Sequence, residues 1–204
     1  SASFPDLAHG EIDVNANRLG YRFFYESGND VDTMTYLARV GSIMLTLCLV
    51  IAIYAASKQI MGNGWALPPM SLTAFSPLVL SHGHYATTDM GVTFGVFISL
   101  WTFLRAIYAP SFKTILIAGL CLSLALLMKF SAAILVPFFA ILIFVLPLSE
   151  EVKGISQIYR PFQRRVKNTL AIFGIAILGI YLVYGFFVFN KGSYESSPIS
   201  RGSD

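Results

Sequence analysis

The stretch VGSIMLTLCLVIAIYAAS, residues 40–57, contains no charged side chain. As a helix rising about 1.5 Å per residue it would be about 27 Å long, close to the roughly 30 Å hydrocarbon thickness of a bilayer. The same pattern recurs along the chain. Trp65 to Ser81, Met90 to Leu104, Thr114 to Met128, Ser131 to Leu148 and Asn168 to Asn190 are further apolar runs separated by short polar breaks. Of the 204 residues, 55% are hydrophobic and only 12% charged, with mean hydropathy +0.67. Soluble domains carry about a quarter charged residues, and an apolar surplus on this scale cannot be hidden in one soluble core. The expectation is an all-α, polytopic transmembrane helical bundle with about six spans. A membrane core covers residues 37–190, between polar loops at 1–36 and 191–204.

The ends carry an expectation of their own. The chain starts at Ser1 with neither an initiator Met nor the basic, apolar and small-residue regions of a signal peptide. Ser1 to Tyr36 is polar and irregular, and Lys191 to Asp204 reads as a loop leading onward. Both features suggest an internal piece of a longer protein.

Lys and Arg concentrate in cytoplasmic loops next to the spans. Lys58 follows the first apolar run, Arg105 and Lys113 bracket the turn after the third, and Lys153, Arg160, Arg164, Arg165 and Lys167 fill the segment after the fifth. With alternating spans these loops share one side, read as cytoplasmic. The terminal loops, the turn Ser81 to Asp89 and the break at Lys129 then lie outside. Positive charge beside spans is what insertion requires, so the basic loop implies no nucleic acid. Thr114 to Leu148 is too long for one straight span and too short for two full ones, which predicts two short or tilted helices with Lys129 at their outer junction. Gly91 and Gly95 have the small-xxx-small spacing that lets helices approach closely in lipid.

The turn Ser81-His82-Gly83-His84-Tyr85-Ala86-Thr87-Thr88-Asp89 gathers the most chemistry. Its plain reading is structural: Thr88 or Asp89 caps a helix and the histidines are interfacial. The functional reading is an outward-facing polar site for a metal, a phosphate or a sugar. His82 and His84 alternate as metal ligands can, but no third or fourth ligand follows at the usual spacing. Arg39 and Lys129 are the other charges at outer helix ends. Each can snorkel, or all three can converge at the depth of an anionic lipid head group. Cys48 and Cys121 lie within apolar runs and carry no redox inference. Gly-rich phosphate loops, CxxC pairs, nucleophile elbows and internal repeats are absent from the sequence.

Several segments, in order, resemble the membrane glycosyltransferases of the dolichyl-phosphate-mannose protein mannosyltransferase group, which includes the lipid A aminoarabinose transferases. They are Gly20 to Asp30 (GYRFFYESGND), Leu37-Ala38-Arg39, Leu72 to Pro77 (LTAFSP), His82 to Asp89, and Gly119 to Lys129 running on into LLMKFS at residues 126–131, with Pro137 beyond. The resemblance covers about residues 20 to 190 and is strongest to bacterial members. It implies a GT-C-like helical fold in the bacterial inner membrane with an outward-facing active site. The implied donor is a sugar on a polyprenyl phosphate, the acceptor a hydroxyl on protein, lipid or glycan, and the transfer inverting.

On the matching positions, the resemblance makes Asp89 the family's second acidic residue, and Arg39 and Lys129 its recurring basic ones, with phosphate as their ligand. Met128 replaces the more usual Thr before that Lys. Asp89 is expected to organise the donor phosphate or a bound divalent metal cation, with His82 and His84 as further candidates for metal or substrate. The family's principal catalytic carboxylate belongs to a first external loop, expected upstream of Ser1, so this piece alone is expected to be inactive. Two other classes compete: a transporter or flippase for a lipid-linked substrate, whose route intramembrane charges would mark, and a noncatalytic scaffold.

Overall fold

The structure, a computed structural model, describes residues 20–26, 28–145 and 155–191, with backbone alone at 155–161 and 190–191. Expectations for Ser1 to Leu19, for the end of the fifth apolar run at Leu146 to Leu148, for Lys153 and the Arg160 side chain, and for the tail beyond Lys191 lie outside that description.

α1 spans Val31–Met61, with Asp30 as its N-cap: Oδ1 accepts from the Thr33 amide at 3.1 Å and Oδ2 from the Thr33 hydroxyl at 2.7 Å. This cap, rather than the onset of apolarity, sets the helix start. Residues 31–36, expected in the polar loop, are therefore helical. Gly62, at φ +84°, ends the helix by donating its amide to the Lys58 carbonyl.

The second apolar run is divided into two helices, α2 (Leu67–Ala74) and α3 (Pro77–His84), each of eight residues. Pro77 lacks the amide a continuous helix needs and drives the preceding residue extended, and Ser76 is so, at φ −64° and ψ 124°. The pair runs back along α1, ending where the Ser42 hydroxyl donates to the His82 carbonyl at 3.4 Å.

α4 (Asp89–Tyr108) descends beside α1, where Trp101 Nε1 donates to Gln59 Oε1 at 3.3 Å. α5 (Phe112–Met128) opens on a reciprocal cap: Ser111 Oγ accepts from the Thr114 amide and Thr114 Oγ1 from the Ser111 amide. α5 returns antiparallel to α4. At their crossing a Cβ on Gly95 would lie 3.0 Å from Ala125 Cα, and one on Gly91 would lie 3.1 Å from Met128 Sδ. The glycine pair thus serves the close approach its spacing suggests.

Lys129, extended at φ −158° and ψ 133°, ends α5. A 3-10 stretch, Phe130–Ile134, leads into α6 (Leu135–Val145). The division of Thr114 to Leu148 around Lys129 is therefore present in the described residues. α7 (Ile155–Lys191) runs parallel to α5, with Gly119 against Ile175 and Gly179 against Ser123. The basic segment expected as a loop after the fifth run is largely the first turns of α7. Arg, Lys and Gln are good helix formers, so charge alone did not mark a break. Within those turns Arg165 is only 9% exposed.

The core lies among α4, α5, α6 and α7, where Phe103 stacks on Phe139 at 4.0 Å beside fully buried Leu122 and Ile172. The outer surface is apolar too: only 11% of the apolar window of α7 is buried. Val31–Met61, Asp89–Tyr108 and Phe162–Phe189 are long and apolar enough to cross a membrane, while Phe112–Met128 and Phe130–Val145 are shorter apolar helices. Of the six expected spans, three therefore meet that length among the described residues. The second run is broken in two and the fourth and fifth are short.

Candidate functional site

α3 ends at His84, and Tyr85 to Thr88 link it to α4. Thr88 stands at the N-cap position in helical conformation, at φ −76° and ψ −3°, with no side-chain cap bond. The first turn is closed through the backbone, with the Val92 amide donating to the Thr88 carbonyl at 2.9 Å. Asp89 is thus not spent on capping. Lys129 Nζ donates to its Oδ1 at 2.8 Å, and His82 Nδ1 stands 3.6 Å from its Oδ2. The three side chains are 47%, 42% and 39% exposed for Lys129, His82 and Asp89.

The pair joins residues 40 apart in sequence, and the glycine crossing explains how. Gly91 lies two residues after Asp89 and packs on Met128, the neighbour of Lys129. Close approach of α4 and α5 therefore sets the carboxylate and the ammonium at one level.

Asp89 and His82 line a groove of about 380 Å³ together with Leu78, Val79, Met90 and Thr93, and Lys129 adjoins it through its bond to Asp89. Its head is charged and its walls are mostly apolar. His84, two residues from His82, is turned about 200° around the helix. It faces a second groove, of about 310 Å³, between α3 and α1, with Ile43, Leu47 and Val50 among its lining. Val79 borders both grooves.

Arg39 is not brought to the ion pair. It lies one turn before Ser42 on α1, exposed, in a hollow of about 480 Å³ with Asp32, Thr33, Thr35 and Tyr36. Of the three charges expected to converge, Asp89 and Lys129 do so and Arg39 stands apart. The Gly20 to Asp30 motif precedes α1 at this same end. There Arg22 pairs with Glu26 at 3.3 Å and Asn29 Nδ2 donates to the Phe23 carbonyl at 2.7 Å.

The donor set does not assemble a cation cage. Asp89 is the one carboxylate of the cluster and already holds Lys129, the two histidines face different grooves, and no group of three or more His, Cys, Asp or Glu occurs among the described residues. Ser42 and Thr93, absent from the sequence-based candidates, also shape the site: Ser42 bonds the His82 carbonyl, and Thr93 donates to the Asp89 carbonyl at 2.7 Å. Nothing in their immediate sequence separates them from other helical hydroxyls.

Fold and site together define an all-α, polytopic membrane protein with an ion-paired groove at one end of its bundle. The sequence model of the dolichyl-phosphate-mannose-protein mannosyltransferase family matches residues 31–159, more than half of the chain, and the chain belongs to that family. No curated protein and no solved structure matches it.

Proposed function

We propose that the protein transfers a sugar from a polyprenyl-phosphate donor to a hydroxyl acceptor, with inversion, at the extracytoplasmic membrane face. The observation that carries this reading is the Asp89–Lys129 ion pair beside a groove that Asp89 and His82 line together with Leu78, Val79 and Met90. Such a groove matches an amphiphile with an anionic head. An ammonium has three donors and no acceptor, and Asp89 Oδ1 occupies one of them. Two remain for a phosphate.

In the reaction the acceptor oxygen bonds to the anomeric carbon from the face opposite the leaving group. The bond from that carbon to the phosphate oxygen breaks, and its electron pair leaves with the polyprenyl phosphate. Lys129 stabilises the charge growing there, and a base takes the acceptor proton. Asp89 is the catalytic-site carboxylate in this reading: it aims Lys129 at the phosphate and keeps Oδ2 toward the groove. Arg39, at the same end but apart, would meet the donor only at the rim. The outward assignment rests on charge: Lys58, Arg105, Lys113, Arg164, Arg165 and Lys167 belong to the opposite ends of their helices. This is the arrangement expected in a bacterial inner membrane.

The test is transfer from a radiolabelled polyprenyl-phosphate sugar by the full-length protein. Asp89→Asn is expected to lower turnover about 10-fold to 100-fold, the scale of a misplaced reacting group, while membrane insertion is unchanged. Near-normal turnover would remove Asp89 from the mechanism. With Lys129 as counter-charge, turnover is also expected to survive a chelator; its loss would bring a cation into the site.

A further inference from the structure

The position of His82 depends on how a short helix is pressed against a long one. α3 has eight residues and no side-chain cap, and its last turn rests on α1 at Gly83. A Cβ on Gly83 would lie 2.7 Å from Thr46 Oγ1, 3.3 Å from Thr46 Cγ2 and 3.4 Å from Thr46 Cβ. Thr46 cannot turn aside without cost. Its hydroxyl donates to the Ser42 carbonyl at 2.9 Å, and rotation about its branched Cβ would only exchange one group for another. The Ser42 hydroxyl in turn donates to the His82 carbonyl at 3.4 Å. The backbone of His82 and Gly83 is thus held on α1 while the His82 ring faces Asp89.

The remaining gap gives this contact its consequence. His82 Nδ1 and Asp89 Oδ2 are 3.6 Å apart, just outside hydrogen-bond distance. A displacement of α3 by a few tenths of an ångström either makes that bond or removes the imidazole from reach. We propose that Gly83 and Thr46 are a positioning pair that holds His82 poised beside Asp89, free to turn its imidazole to the ligand of the groove. Neither residue touches that ligand. The inference rests on the glycosyl-transfer reading, and it predicts that the spacing at 83 and 46 is as necessary as the imidazole itself.

The experiment uses the full-length protein and a radiolabelled polyprenyl-phosphate sugar, alongside the NMR chemical shifts of the His82 imidazole at one fixed pH. Gly83→Ala is expected to lower kcat about 10-fold to 100-fold, with a smaller change in donor KM, and to move the imidazole chemical shifts of His82. Thr46→Ala in the same chain removes both Oγ1 and Cγ2 and should restore turnover and chemical shifts together. Thr46→Val keeps the branched volume and should restore neither. His82→Ala should lose as much activity as Gly83→Ala, and Thr46→Ala should not rescue it.

Wild-type turnover in Gly83→Ala, equal rescue by Thr46→Val, or an unrescued but well-folded Gly83→Ala/Thr46→Ala protein would each overturn the proposal. Should Gly83→Ala alone not accumulate, the double variant decides: accumulated and active supports the pair, accumulated and inactive refutes it. A wild-type protein that transfers no sugar sinks the functional reading instead. The His82 imidazole chemical shifts, moved by Gly83→Ala and returned by Thr46→Ala or not, still decide the positioning pair.

Discussion

Lys129 and Asp30 show how differently two charged residues at the same end of a bundle are used. The Lys129 ammonium lies where α5 gives way to a 3-10 stretch, so its backbone is extended and its side chain reaches across to Asp89. Replacing it with Met keeps the length and removes the charge. Turnover should fall on the order of 10²-fold, as when one donor to a developing anion is lost. Lys129→Arg should retain part of it, because charge persists while the planar fork fits a single-point contact less well; equal loss in both variants would place the role of Lys129 in packing. Asp30 is structural. Its two bonds from Thr33 hold its carboxyl below the ordinary aspartate range. A depressed value means that the folded state binds the proton less well than the unfolded one. The cap is therefore fully present above the ordinary pKa of about 3.9 and is lost as pH falls through the lowered native value. Amide exchange at Thr33 and Met34 should quicken in that acid window. Asp30→Asn, which still offers an acceptor, should abolish the dependence.

At the scale of elements, the crossing of α4 and α5 links packing to chemistry. Gly95 faces Ala125 backbone, which cannot retreat as a flexible side chain would. Gly95→Val should cost about 1–3 kcal/mol through overpacking, read as a lower melting temperature in detergent. It should also depress transfer, because the Asp89–Lys129 pair depends on the same crossing. Gly174, with nothing within 4 Å of a built Cβ, should accept Ala without either effect. If Gly95→Val melts low yet transfers sugar at the normal rate, the crossing stabilises the bundle without setting the pair. The elements also show where sequence reading succeeded and failed. Lys129 marked its helix junction because a lone charge interrupts an apolar run. The division at Pro77 passed unmarked because Trp65 to Ser81 is uniformly uncharged, although proline chemistry was there to find it. The start of α1 was placed late because a helix N-terminus follows its cap and not its hydropathy.

For the whole molecule, orientation is the property most open to direct measurement. Thr87 is exposed at the ion-pair end and Lys113 at the opposite one. With Cys48 and Cys121 replaced by Ser, Thr87→Cys should react with a membrane-impermeant maleimide on intact cells. Lys113→Cys should react only after permeabilisation. The reverse pattern would turn the protein over and move the site to the cytoplasmic face.

The sequence by itself determined the all-α membrane class, because hydrocarbon requires every backbone amide to be paired within the protein, and long continuous apolar runs do so as helices where a barrel would alternate apolar and polar residues. It also singled out Asp89 and Lys129, since charges at the edge of such runs are few. Which charges meet was decided by the tertiary structure alone. Lipid-facing and core-facing surfaces are equally apolar here, so no stripe tells which side of a helix turns inward. The helix contacts at Gly91, Gly95 and Gly83 accompany the meeting of Asp89 and Lys129 and the placing of His82 beside them, while His84 lines a separate groove and Arg39 stands apart.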